Sequence, residues 1–320
     1  MQLINSKIIW QNNQHNAFTD MVEYQGLYLC CFRQATNHVS KDGFIRILSS
    51  TDLINWQTVS LIRKSNCDLR DPKLIVHPNG QLLLLYYCKV FDNQGRNTAN
   101  VNCIHFTSNP VSWSGAKVLG NNNWWLWRIR FYQKQALGIA YNRSQNKVNL
   151  YQGDPLRSFH LTIDGLFGLK THGKAYPNES DISFLADGTA ICILRRDADS
   201  YTAQLGIAKP NYKKWQWFDL GEYLGGPALY KLKNGRIIIA ARRILMPFRL
   251  ATWLFELDLT NKKIIPLIEL PSSGDNSYPA MLEKDNHLFV SYYSQHRQNA
   301  QGQINHPSQP CAIYLAKLSL

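Results

Sequence analysis

The sequence predicts an all-β, single-domain protein, a six-bladed β-propeller spanning residues 1–320. Three observations predict it. A turn residue is followed seven positions later by Arg or Tyr six times: Gly26 to Arg33, Gly80 to Tyr87, Lys134 to Tyr141, Gly188 to Arg195, Gly235 to Arg242 and Asn286 to Tyr293. The end positions lie 54, 54, 54, 47 and 51 residues apart, a period that matches one propeller blade. Each unit also sets a polar turn, such as HPNG, LADG or LKNG, between short apolar runs, which is a hairpin signal. Finally, no stretch carries helical periodicity over a useful length.

Residues 5–11 read as a strand ahead of the first repeat. Paired with the last blade it closes the ring and removes exposed sheet edges. Blade one, 15–60, turns at Gly26 and continues through GFIRILSSTDLINW. Blade two, 68–115, turns at HPNG between two dense apolar runs and continues through VNCIHFTSNPVSW. Blade three, 124–165, opens on WLWRIRF and turns at Lys134. Blade four, 176–220, turns at LADG, and blade five, 222–268, at LKNG. Blade six, 275–320, turns at Asn286 and closes with CAIYLAKLSL. Each unit reads as three strands, the third reached through a variable loop.

The chain is long enough for a large core, with 45% hydrophobic residues. The longest apolar runs, such as Leu82 to Cys88, are strand length, so no membrane span is expected. The N-terminal sequence lacks a basic region followed by an apolar one, which makes the cytoplasm the default location. Seven cysteines without a Cys-x-x-Cys pair suggest reduced, core-packed thiols and no zinc site. The formal charge of +13 is high for 18% charged residues. Because Lys and Arg are dispersed, this favours a focused anion site over a nucleic-acid surface.

In an antiparallel hairpin the start of one strand lies beside the end of the next. The Arg and Tyr that end the second strands, Arg33, Tyr87, Tyr141, Arg195, Arg242 and Tyr293, therefore gain neighbours from the starts of the first strands. Those starts carry His15 and Asn16, Arg70 and Asp71, Trp127 and Arg128, Asn178 and Glu179, Pro227, and Tyr278. The result is a polar, charged ring at one mouth of the propeller. Of the adjacent pair Arg195 and Arg196, the offset places Arg195 inside and leaves Arg196 to solvent. Trp124, Trp125 and Trp127 read equally as a sugar-stacking platform or as a packing cluster.

Two segments in this ring carry a resemblance. NESDISFLADGTAICILRR resembles the sialidase (neuraminidase) pattern of Asn-Glu, a strand, Asp-Gly and a terminal Arg. NSYPAMLEKDNHLFVSYYS resembles the nucleophile segment of that superfamily, and SSTDLINW a shortened Asp box. The resemblance spans nearly the whole chain and implies a sialidase-like, retaining exo-glycoside hydrolase acting on a carboxylate-bearing sugar. Tyr278 would be the nucleophile and Glu179 its base, because a phenol with pKa near ~10 is a poor nucleophile without one. Arg195 would hold the substrate carboxylate, with Arg242 or Arg249 as a second clamp. The acid/base group would come from the loop after the first hairpin, where Asp42 and His38 stand. The first arginine of the usual triad is missing: the segment reads His15-Asn16-Ala17-Phe18, with Arg33 on the next strand as a nearby source of charge. A related keto-acid sugar or a uronic acid is then as good a fit as sialic acid.

Arg70-Asp71-Pro72 also resembles the Arg-Asp-Pro of propeller glycosidases that use three carboxylates. That gives a second enzyme reading, with Asp71 and Glu179 joined by Asp20 or Asp42. Non-enzymatic alternatives are a carbohydrate-binding propeller that kept its arginines and a scaffold for protein contacts. No cofactor and no metal are expected, and the expected partner is an acidic sugar or glycoconjugate.

Overall fold

Strands that are neighbours in sequence pair antiparallel, so the six repeats become six four-stranded sheets arranged as a β-propeller. The structure, a computed structural model, describes residues 1–298, 304–305 and 310–320. Of the range 275–320 assigned to blade six, 299–303 and 306–309 lie outside the described residues. From the centre outward, blade one is His15–Tyr24, Leu27–Ala35, Phe44–Ser50 and Gln57–Ile62. The inner strands of blades two to five are Cys67–Val76, Trp125–Tyr132, Pro177–Phe184 and Gly225–Lys231. Blade six runs Asn276–Lys284, His287–Ser294, Ala312–Ser319, and then Gln2–Trp10 from the start of the chain.

Sequence had predicted three strands per unit, and the structure adds a fourth, outer one. Its residues mix polar with apolar and, as in Gln57–Ile62 of blade one, none there is fully buried, so they lack the apolar density that marks an inner strand. The chain start supplies this outer strand for blade six, pairing antiparallel from Gln2 opposite Ser319 to Trp10 opposite Ile313. The one helix among the described residues is the single turn Leu169–His172.

The core lies between blades. Leu29 and Ile45 of blade one pack with Leu69 and Leu84 of blade two, and Ile191 and Ile193 of blade four with Leu229 and Ile239 of blade five. Because both faces of each blade are covered, the strands are dense in β-branched and leucine residues.

The six inner strands share one irregularity. The ladder to the second strand is interrupted between Ala17 and Asp20, Arg70 and Lys73, Leu126 and Arg128, Pro177 and Ser180, Gly225 and Ala228, and Ser277 and Ala280. Each interruption is a β-bulge, which bends the strand and re-aims a side chain. Phe18, Asp71, Trp127, Glu179, Gly226 and Tyr278 lie in these bulges. Four of them have left-handed backbone: Phe18 at φ 64°, Asp71 at 50°, Gly226 at 55° and Tyr278 at 50°. For Phe, Asp and Tyr that conformation is strained, about 1 kcal/mol or more each.

Below the bulges lies a buried ionic layer. Arg128 donates to Asp20 at 2.7 Å and approaches Asp181 at 3.5 Å, while Arg130 binds Asp181 at 2.8 Å. Asp20 also accepts the Leu74 N–H at 2.8 Å, and Asp181 the Leu229 N–H at 2.8 Å. Each aspartate thus fastens its own blade to the next through a backbone amide. Arg128, expected at the mouth, belongs to this layer, where two buried carboxylates draw its guanidinium down.

Candidate active site

Tyr278 is the point on which the bulges converge. Its ring meets Phe18 edge-on at 5.0 Å and Trp127 at 5.6 Å between centroids. Its hydroxyl donates to Glu179 Oε1 at 2.7 Å and accepts from Arg195 Nη1 at 3.0 Å. The same Arg195 nitrogen donates to Glu179 Oε2 at 2.5 Å, and the Gly226 N–H reaches that oxygen at 2.9 Å. Gly226 also leaves space for the ring: a Cβ there would lie 2.8 Å from Tyr278 Cγ. Side-chain volume therefore requires glycine here, since Phe18, Asp71 and Tyr278 carry side chains at the same left-handed backbone in their own bulges.

These contacts set the charge states. Burial would raise the Glu179 carboxyl, but Arg195 and the hydrogen bonds from Tyr278 and Gly226 more than offset it and hold it below its ordinary value. The Tyr278 phenol is pushed well above its ordinary value, by burial first and then by the adjacent Glu179 charge. A neutral phenol thus faces an ionised carboxylate already hydrogen-bonded to it, and a guanidinium N–H already touches the phenolic oxygen. That is the arrangement of an activated nucleophile.

Asp71 completes a set of groups with different acidities. It is buried, and one of its oxygens (Oδ1) has no hydrogen-bond partner among the described residues. Burial raises its pKa to about 6, with Arg70 and Lys73 opposing the shift and Glu179 adding to it. Asp71, Glu179 and Tyr278 line one open cavity of about 690 Å³, within the range of small-molecule sites. Two carboxylates in one cavity, one held ionised and one held protonated to near neutrality, match an acid–base division of labour.

Arg195 and Arg242 flank Tyr278. Arg195 is anchored by Asp197 at 2.7 Å. Arg242 sits 5.1 Å over the Tyr278 ring and donates to Asp275 at 3.0 Å and to the Tyr293 hydroxyl at 2.9 Å. Neither Nη2 of Arg195 nor Nη1 of Arg242 meets a partner among the described residues. Each guanidinium thus keeps one nitrogen uncommitted beside Tyr278, although neither arginine is among the residues that line the cavity of about 690 Å³.

Where the missing arginine was expected stands an ionic cluster. Asp275 accepts from His15 at 2.9 Å, His38 at 2.6 Å and Tyr293 at 2.7 Å. Burial would raise its pKa, but the two histidines and Arg242 hold it well below the ordinary range. Burial depresses His15, more than Asp275 restores it. One potential ligand atom from each of His15, Asp275 and Cys311 lies within 4.8 Å of the others. A cation there would have to displace donors already bound to Asp275 and sit beside Arg242. The cluster therefore reads as an ion-pair network.

Several expected site residues stand elsewhere. Asp42 is exposed and accepts from the Thr36 N–H at 3.2 Å and the Thr36 hydroxyl at 2.6 Å. It holds a turn and does not line the cavity. Arg33 is fully buried, donating to Asp68 at 2.7 Å and to the carbonyls of Asn37 and Ser40 at 3.1 and 2.9 Å. Its charge is spent on the 37–40 loop, which carries His38 to the cavity wall. Asn16 is buried and donates to the Asn12 side chain and to the carbonyls of Gln14 and Cys311. Arg249 pairs with Glu269 at the blade-five edge. Arg196, assigned to solvent, is buried and bound to Asp199 at 2.6 Å. Of the three tryptophans singled out, Trp125 lines the cavity and stacks with Tyr87 at 4.0 Å and with Tyr141 at 5.6 Å. Trp127 packs beneath Tyr278, and Trp124 against the core of blades two and three.

Asp197, Asp275 and Gly226 are site residues that sequence reasoning passed over. Each adjoins a residue it did single out, and the Gly225-Gly226 pair was a visible signal of left-handed backbone.

No protein-family model matches the chain, and no curated protein matches it. Solved structures do. A protein of unknown function from Dyadobacter fermentans superposes with a TM-score of 0.80 at 17% identity, covering 100% of this chain and 99% of its own. A sialidase from Streptococcus pneumoniae gives 0.71 at 11% identity, over 98% of this chain and 70% of its own. An α-L-arabinanase from Penicillium chrysogenum, solved with arabinobiose, gives 0.70 at 12% identity and 98% of both chains. At these identities the likeness is one of fold: a six-bladed propeller, the architecture that the sialidase and the arabinanase also have.

Proposed function

We propose that the protein is a retaining exo-glycoside hydrolase acting on a carboxylate-bearing sugar, with Tyr278 as nucleophile. The observation that carries this reading is the Tyr278 hydroxyl held between Glu179 at 2.7 Å and Arg195 at 3.0 Å. A phenol in the core needs neither contact, whereas a phenol that must lose its proton needs both.

In the first step the Tyr278 oxygen attacks the anomeric carbon while Glu179 takes the phenolic proton. The bond to the leaving oxygen breaks, and Asp71 gives that oxygen its proton. In the second step Asp71, now ionised, takes a proton from water. The water oxygen attacks the anomeric carbon, the bond to Tyr278 breaks, and the phenol recovers its proton from Glu179. Asp71 takes the acid/base role earlier considered for Asp42, because it lines the cavity and holds its proton to near neutrality. The free edges of Arg195 and Arg242 bind the substrate carboxylate. A neutral nucleophile suits such a substrate, since a carboxylate nucleophile would repel it.

The test is a panel of aryl glycosides of sialic acids, related keto-acid sugars, uronic acids and neutral sugars. One acidic member is expected to turn over, and Tyr278→Phe and Glu179→Gln each to reduce its kcat by on the order of 10³-fold or more, with unchanged circular dichroism. Full activity in Tyr278→Phe would refute the tyrosine mechanism. Dependence on Asp71 and Glu179 alone would transfer the chemistry to a carboxylate pair.

A further inference from the structure

The cavity does not end at the reacting groups. Beyond Asp71 it opens over blades two and three, away from Arg195 and Arg242, and this outer wall has a composition of its own. Lys41, Lys89 and Arg143 line it. Lys41 is exposed and reaches the Gly95 carbonyl at 2.6 Å. Lys89 is half-buried with its ammonium 5.9 Å from the Trp125 ring, and Arg143 lies 5.5 Å over Tyr176. Among the described residues none of the three forms an ion pair. Asp68, a carboxylate that also lines the cavity, is already bound by Arg33 at 2.7 Å and Arg70 at 3.0 Å. Arg70 also lines the cavity, is buried, and keeps its Nε without a described partner.

Uncompensated cations gathered on one wall of a concave site repel one another. Lys89 feels this, its pKa being lowered by burial first and then by Arg70, with Asp68 and Asp71 opposing the shift in part and Arg143 adding to it. Such an arrangement is relieved by an anion. An amide surface adjoins these cations: Asn100, the cross-strand partner of Lys89, donates to Asn97 at 2.9 Å and to Asn123 at 3.1 Å, and its buried Oδ1 has no partner among the described residues. Amide donors and acceptors of this kind recognise sugar hydroxyls.

Resting on the glycosidase reading, we infer that this outer region is a leaving-group subsite for a second, anionic sugar, bound through Lys89 and Arg143. The side is fixed by chemistry: a general acid must stand next to the oxygen it protonates, and Asp71 lines the same cavity as these cations. The substrate class is then an acidic sugar joined to a second sugar that carries a carboxylate or a phosphate, such that each half meets its own cationic site.

The test is direct binding to the whole protein, independent of turnover, followed by tryptophan fluorescence and calorimetry. The probes are galacturonate, galactose 6-phosphate and galactose. Galactose is expected to bind at least about tenfold more weakly than one of the two anions, since charge-assisted contacts carry that difference. Whichever anion binds tighter identifies carboxylate or phosphate as the group recognised. The Lys89→Ala/Arg143→Ala double variant is expected to lose the preference, and Arg195→Ala to keep it. Equal binding of galactose, no binding of either anion, or an intact preference in the double variant would overturn the subsite. Loss of the preference in Arg195→Ala would assign the anion to the inner clamp instead. Because no probe is hydrolysed, failure of the glycosidase reading would show only in the aryl glycoside panel.

Discussion

At the residue scale, the site turns on three acidities set by position. Tyr278 and Glu179 share one hydrogen bond, and Asp71 sits buried with pKa raised to about 6. An acid that must be protonated in the free enzyme gives kcat/KM a descending limb, so activity is expected below about pH 6 and is lost as pH rises through it. Asp71→Asn removes that limb, together with most turnover of substrates whose leaving groups need a proton. The same residue makes a stability prediction of definite sign. A carboxyl whose folded pKa lies above its unfolded one stabilises the fold most at low pH, and that contribution is lost as pH rises through about 6. Ionised Asp71 is therefore destabilising at pH 8, and Asp71→Asn is expected to gain about 2–3 kcal/mol there and little at pH 4. Urea unfolding at both pH values checks this; an equal effect at both would remove Asp71 as a buried, protonated acid.

At the scale of the element, the bulge does the work that the repeat alone could not. The offset of seven found the second-strand residues, and the antiparallel argument found their neighbours, because both follow from the two-residue period of a strand. The bulge was not legible. It inserts residues against that period, and nothing in Phe18, Asp71 or Tyr278 announces left-handed backbone, a conformation their side chains oppose. Asp42 and Arg33 were misplaced for a different reason. Their spacing from the hairpin was right, but loop hydrogen bonds to Thr36 and a buried pair with Asp68 decided where they point. Gly226 tests the bulge directly. Its Cβ would meet the face of the Tyr278 ring at 2.8–2.9 Å. Gly226→Ala should thus displace the nucleophile and cost roughly 1–3 kcal/mol from strain at positive φ and overpacking. Activity is expected to fall further than Gly225→Ala lowers it. An active, equally stable Gly226→Ala protein would mean that the ring does not need this surface.

At the scale of the whole molecule, closure is carried by the chain start. Gln2–Trp10 forms the outer strand of blade six, opposite Ala312–Ser319. Deleting residues 1–10 should bare that edge, lower the thermal midpoint and promote association, which light scattering would detect. A deletion variant as stable and as monodisperse as the full chain would show that the ring closes without it. The propeller gathers six bulges at one mouth with Tyr278 at their focus, and the proposed function makes its hydroxyl the nucleophile. A fluorinated analogue of the acidic sugar found in the aryl glycoside panel, with a good leaving group, tests that most directly, since fluorine beside the anomeric carbon slows breakdown of a covalent intermediate. Mass spectrometry of the digested protein is expected to find the sugar on the peptide containing Tyr278, and no adduct in Tyr278→Phe. An adduct on Glu179 or Asp71, or steady turnover with none on Tyr278, would contradict it.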